Sequence, residues 1–194
     1  MEQITFLYTA RSVFDKTYNK DGNTWDSYAE WSKLTHLKEV ISLDLILNNS
    51  LVEPDYDNAD DWNFIHTDGL QQTNFFKTTD YVLRRMEPTE KFNLLAVVIE
   101  PPHDCKDVKL EDFEFIGYDL LDREYGTSAL TNLAGLNETF FPSDLTEFGL
   151  IDDYEKAFDV KKRLLKNNPE THHADTNVIA VWRHKTIGRA HPNR

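Results

Sequence analysis

The stretch that most constrains this chain is residues 92–100, FNLLAVVIE, an almost unbroken apolar run closed by Pro101 and Pro102. A short β-branched run cut off by two prolines reads as a strand. Residues 113–121 read as a second strand. Phe113, Phe115 and Gly117 fall on one of its faces, while Ile116 and Tyr118 cross the pattern. The polar connection 103–112 suits an antiparallel return between the two. Residues 177–182, NVIAVW, form a final strand, and residues 4–8 and 128–132 give shorter candidates.

Helices are expected in three places. Ser27 and Glu30 have capping-box spacing, and Tyr28, Trp31, Leu34, Thr35 and Lys38 then share one stripe that would pack on the core. Residues 40–47 either extend that helix or begin a strand. Residues 79–86 have the spacing of a short helix. Residues 152–168 are the best-marked helix, with Asp152 and Asp153 at its positive end and Lys161, Lys162, Arg163 and Lys166 towards its negative end. Asn167, Asn168 and Pro169 stop it. Two adjacent antiparallel strands, a late helix and a returning strand predict an α+β fold. The expected form is a largely antiparallel sheet with helices packed on it as a single layer pair. The alternative is α/β, with strand 177–182 parallel to a neighbour. At 194 residues, one domain is expected over 1–194, with 186–194 a peripheral tail.

The formal net charge is −13 and it is unevenly spread. Residues 1–155 hold 31 acids against 12 bases, and residues 156–194 hold 3 acids against 9 bases. Such a chain repels nucleic acid and anionic membranes and attracts a basic partner. No apolar run approaches the roughly 18 residues that cross a bilayer, and the acidic N-terminus does not read as a signal peptide. The single cysteine, Cys105, excludes an intrachain disulfide and fits the cytoplasm.

Several groups of residues invite a chemical reading. Residues 55–66 look like a calcium loop, but Ala59, Asp60 and His66 stand where the loop needs a ligand, a glycine and a glutamate. Asp55, Asp57, Asp60, Asp61 and Trp62 read better as a contact patch for a basic protein surface. His172 and His173 would point to opposite sides of an extended chain, so His173 and Asp175 are the pair able to share an ion, with His184, His66 or His103 as a third ligand. That pattern ordinarily marks a polar loop. Cys105 beside His103 and Asp104 carries no further nucleophile signature. Asp119, Asp122 and Glu124 are candidate paired carboxylates. Trp182 is expected in the core, with Arg183, His184 and Lys185 snorkelling outwards. No Walker loop, dinucleotide turn, nucleophile elbow or HExxH motif is present.

Trp31 to Leu34 (WSKL), Ile41 to Leu45 (ISLDL), NLLAVVIEP from Asn93, FEFIGYDLLD from Phe113, SALTN from Ser128, EFGL from Glu147, HAD from His173 and AVWR from Ala180 together resemble a group of small bacterial proteins of about this length. The resemblance implies a bacterial, single-domain chain and carries no activity, cofactor or catalytic residue. The expected function is therefore a non-catalytic acidic protein-binding module, of the kind that inhibits a basic toxin as an immunity protein, with no cofactor. The alternative is a small-molecule enzyme, a metal-assisted hydrolase using His173, Asp175 and His184.

Overall fold

A computed structural model of the chain describes residues 4–20, 23–44, 46–53, 75–86, 91–132 and 139–188. Its centre is a four-stranded sheet built from β1 (Leu7–Ser12), β6 (Phe92–Ile99), β7 (Phe113–Asp122) and β8 (Thr176–His184). Two-residue strands make two small ladders: β2 (Phe14–Asp15) with β5 (Glu39–Val40), and β3 (Asn19–Lys20) with β4 (Asn23–Thr24). Among the described residues three α-helices accompany them: α1 (Trp25–Ser32), α2 (Thr79–Arg85) and α3 (Tyr154–Asn167). The fold is α+β, and every pairing in the main sheet is antiparallel. None of the described helices is long and apolar enough to cross a membrane.

The strand order is β1-β6-β8-β7, so β6 and β7 are not the hairpin that their polar connection suggests. The last strand inserts between them and pairs antiparallel with both, which leaves β6 and β7 running the same way. The connection must therefore return along one face of the sheet. It is held there by contacts that hairpin loops do not make. Trp182 donates its indole N–H to the Val108 carbonyl at 3.3 Å, and the Cys105 amide donates to the Tyr118 hydroxyl at 2.8 Å. This central place explains why β8 is buried along its whole length: both its edges and both its faces are covered.

Alternate residues of β6 and β8 sort into two cores. Leu94, Ala96, Val98, Val178, Ala180 and Trp182 face the side where α3 packs through Ala157, Val160 and Leu164. Leu95, Val97, Ile179 and Val181 face the other side, against Ile41, Leu43 and Leu150. On α3, Asp153 caps the first turn by accepting from the Lys156 amide at 2.7 Å. α1 departs from the expected boundaries. Its cap is Thr24, which accepts from the Ser27 amide at 3.1 Å, and Lys33 in a left-handed conformation (φ 63°) ends it before Leu34. The chain then continues into β5 and not into a longer helix. Residues 128–132 make only one bridge, Ser128 to Leu121, in place of a strand.

The residues that cross the pattern in β7 have a structural cause. The register shifts between Phe115 and Gly117, so Ile116 is an extra residue, a β-bulge. Before the bulge, Phe115 lies opposite Trp182; after it, Tyr118 lies opposite Ala180 and Asp119 opposite Ile179. One inserted residue thus moves Asp119 onto the face of Ile41 and Leu43. Gly117 has φ +138°, and a Cβ there would lie 2.7 Å from the Leu150 Cβ and 2.9 Å from the Ile151 carbonyl oxygen. Replacing it with alanine, Gly117→Ala, is expected to cost at least about 1–3 kcal/mol in backbone strain alone. Urea denaturation of the variant against wild type measures this; an unchanged midpoint would show that the bulge does not need glycine.

Candidate functional site

Segment 41–44 alternates apolar and polar residues. Ile41 and Leu43 enter the core, yet Ser42 and Asp44 are also buried. Buried polar groups must find partners, and here they find one another. The Asp119 carboxylate accepts from the Leu43 amide (3.0 Å), the Ser42 hydroxyl (3.3 Å), its neighbour Leu120 N–H (2.8 Å) and the Ser128 hydroxyl (2.5 Å). The Asp44 carboxylate accepts from the Ile46 amide (2.6 Å) and the Ser128 amide (3.1 Å). Asn48 accepts from the Ser42 amide at 3.1 Å and donates to the carbonyls of Ser12 and Val40, which fixes the start of the segment.

Arg11 brings a positive charge to this region. Its side chain is fully buried, and Nη1 donates to the Asn48 carbonyl at 3.4 Å, while Nε and Nη2 have no hydrogen-bond partner. Burial lowers its pKa to about 10, against the opposing pull of Asp44, Glu53 and Asp119, so it stays protonated at neutral pH. Burial raises the carboxyl groups of Asp44 and Asp119, and Asp119 raises Asp44 further. Two buried carboxylates thus lie within electrostatic reach of one buried guanidinium without hydrogen-bonding to it.

Asp44 is also the acidic group of a cavity of about 280 Å³. Phe14, Tyr18, Tyr28 and Trp31 supply aromatic surface, and Ile46, Leu47, Thr131 and Asn132 complete much of the wall. The rings brace each other. Phe14 meets Tyr28 edge to face at 5.3 Å between centroids and Tyr18 at 4.6 Å. Tyr28 is anchored by its hydroxyl, which donates to the Thr131 carbonyl at 3.1 Å. Trp31 and Ile46, 50% and 67% exposed, are among the few large apolar residues left open on the described surface, and both line this cavity. Thr24 and Ser27 add hydroxyl groups to the wall, and a concave pocket that combines aromatic surface, a few polar groups and a perturbed carboxyl is a usual form of a small-molecule site. From the sequence, Tyr28 and Trp31 read only as a core-facing stripe. Asp44 lies in the 40–47 stretch, which reads only as more helix or the start of a strand.

Of the described residues singled out from sequence, Asp119 belongs to this cluster. Asp55, Asp57, Asp60, Asp61, Trp62 and His66 fall outside the described residues. His173 and His184 sit beyond or at opposite ends of β8, whose nine residues span roughly 30 Å, so His173, Asp175 and His184 do not converge. His184 instead accepts through Nδ1 from the amides of Thr186 and Ile187. Asp175 is largely exposed and pairs with Arg123 at 3.7 Å. His172 and His173 do not point apart as extended residues would. They occupy a 3-10 turn, His172–Ala174, with ring centroids 3.9 Å apart. Asp122 joins them, and the three side chains each bring a potential ligand atom within 4.8 Å of the others.

Asp119 and Asp122 are not a pair, because residues three apart on a strand face opposite sides. Arg183 does not snorkel. It is buried in an ion pair with Glu39 at 3.1 Å, and Glu39 also accepts from Asn93 at 2.8 Å. Cys105 is buried, and burial followed by the nearby Asp104 charge raises its thiol to about 11, which disfavours the nucleophilic thiolate. Its amide and the Asp104 carboxylate instead hold the Tyr118 hydroxyl, at 2.8 and 2.7 Å. Comparison with known protein families, with curated proteins and with solved structures finds no match to this chain.

The raised carboxyl groups give a pH signature. A group whose folded pKa lies above its unfolded value stabilises the fold fully below the unfolded value and loses that contribution as pH rises through the folded one. Wild type is therefore expected to lose stability relative to Asp119→Asn, which cannot titrate there, as pH climbs from about 4, the ordinary carboxyl value, through the raised one. Urea midpoints of both proteins across that range test this. A constant difference would show that Asp119 titrates alike in the folded and unfolded chains.

Proposed function

We propose that the protein binds a small organic cation, an amine or a guanidinium, in the pocket between Asp44 and the rings of Phe14, Tyr18, Tyr28 and Trp31. The observation that carries this reading is the charge balance behind the pocket: two buried carboxylates, Asp44 and Asp119, against the single guanidinium of Arg11. Burial opposes ionisation of Asp44 and Asp119; a cationic ligand would favour their charged forms and neutralise the negative charge in excess over Arg11. Aromatic faces attract the same kind of group through their negative quadrupole. The cavity volume, near the lower end of the roughly 300–1,000 Å³ typical of such sites, suits a small ligand.

Benzylamine and its neutral counterpart benzyl alcohol are suitable probes, followed by tryptophan fluorescence and calorimetry. The amine is expected to bind at least about tenfold more tightly, a difference of about 1.4 kcal/mol. Asp44→Asn should abolish that preference. Trp31→Ala, at an exposed position that folding tolerates, should weaken the amine roughly 2- to 30-fold, the range of about 0.5–2 kcal/mol for a cation over a ring. Equal binding of the two probes, or an unaltered preference in Asp44→Asn, would overturn the reading.

The distribution of charge supports a second reading, an acidic module that binds a basic protein, in the manner of an immunity protein that inhibits a basic toxin. Residues 156–194 carry more bases than acids, against the acidic excess of residues 1–155, and several of these bases are already engaged. Lys156 pairs with Asp144, Lys161 with Glu100, Arg163 with Asp159 and Arg183 with Glu39. The acidic excess of residues 1–155 is then what a partner meets. The single cysteine supports a reducing, cytoplasmic setting, and the resemblance to small bacterial proteins supports a bacterial one. Affinity capture at low salt should recover a basic protein that raised salt releases. Recovery of no such partner would remove this reading.

A further inference from the structure

We propose that Asp122, His172 and His173 form a binding site for a divalent transition-metal ion of the zinc type, separate from the aromatic pocket. The three residues come from different parts of the fold. Asp122 ends β7, and the two histidines occupy the 3-10 turn that leads into β8. They meet because the last pair of the β7–β8 ladder is Asp122 with Thr176, two residues beyond that turn. The turn brings the imidazoles together, with centroids 3.9 Å apart, where an extended chain would have separated them.

The ligand atoms lie within 4.8 Å of one another. In a tetrahedral site with bonds of about 2.0–2.1 Å they would be roughly 3.3 Å apart, so the three must close by up to about 1.5 Å. His172 is the least buried of the three, so its side chain is the one with most room to rotate towards the other two. His173 carries an independent sign of a missing partner. It is 5% exposed, and its Nδ1 is buried without any hydrogen bond. A buried ring nitrogen left unsatisfied is uncommon, and a metal ion would take its lone pair.

The carboxylate is held in place from behind. Asp122 accepts from the amides of Glu124 (3.1 Å), Tyr125 (2.6 Å) and Thr127 (2.7 Å), and from the Thr127 hydroxyl. Metal-binding carboxylates are commonly fixed by such outer contacts. Four donors fill both oxygens, so a metal must displace one of them. The Thr127 hydroxyl is the one side-chain donor of the four, and its rotation would release a lone pair on Oδ2. Tyr125 meets the His172 ring edge to face at 5.3 Å and orients it. Two imidazoles and a carboxylate suit zinc, nickel or ferrous iron, whereas magnesium and calcium prefer all-oxygen shells. Three protein ligands leave a fourth position on the His172 side for water or another small ligand.

Titration of the full chain with Zn²⁺ at neutral pH by calorimetry tests the site, with the visible absorption of bound Co²⁺ as a second readout. Wild type should bind one Zn²⁺ through this site. Loss of an outer contact commonly weakens a metal site about 10- to 100-fold, so removal of a ligand in His172→Ala should cost about 100-fold or more. That variant changes a solvent-accessible side chain, and circular dichroism verifies its fold. Asp122→Asn should weaken binding as well. Three results would overturn the proposal: no stoichiometric Zn²⁺ binding by wild type, equal affinity in His172→Ala, or a preference for Mg²⁺ or Ca²⁺ over Zn²⁺.

Discussion

A carboxylate removed from water must be answered by donors, and Asp119 is answered from three separate parts of the chain. Ser42 and Leu43 reach it from the segment after β5, Leu120 from its own strand, and Ser128 from the turn beyond β7. Without those donors its burial would be prohibitive. With them it joins segment 41–44 and residue 128 to the face of the sheet. The pocket depends on this junction, because Asp44 and Thr131 stand only a few residues from the atoms Asp119 holds. The junction depends in turn on the bulge at Ile116 and Gly117, which turns Asp119 toward that face.

Strands β6 and β8 were legible in the sequence because burial on two faces leaves a nearly continuous apolar run, as in FNLLAVVIE and NVIAVW, whereas the run at 4–8 overlaps β1 only at Leu7 and Tyr8. Helix α3 was legible for a different reason: its cap, its apolar spacing and its stop signal agree. Strand order was not legible. Nothing in residues 103–112 distinguishes a return from a crossover. The deciding contacts, Trp182 to Val108 and Tyr118 to Cys105, join residues 74 and 13 positions apart. The irregular pattern around Ile116 did carry information. A register shift was the physical meaning of residues that would not alternate.

The candidate sites were harder to read, because their residues look ordinary one at a time. Ser42 and Asp44 interrupt an apolar stretch, and two polar residues alternating with Ile41 and Leu43 were the signal that both faces would be buried. Arg11 lies in a strand that gives no hint of a buried guanidinium. The histidine pair was visible, but its geometry was inferred from an extended chain that the 3-10 turn replaces. Asp122 is about fifty residues from that pair and meets it only through β7–β8 pairing.

Thr127 and Ser128 are consecutive, yet they serve opposite sides of the sheet. Thr127 grips Asp122 beside the histidines, and Ser128 grips Asp119 and Asp44 behind the pocket. One peptide unit is therefore the fulcrum of a short lever. Any displacement of that unit would carry donors to Asp122 and to Asp119 and Asp44 together, with no long chain of intermediaries between the two sites.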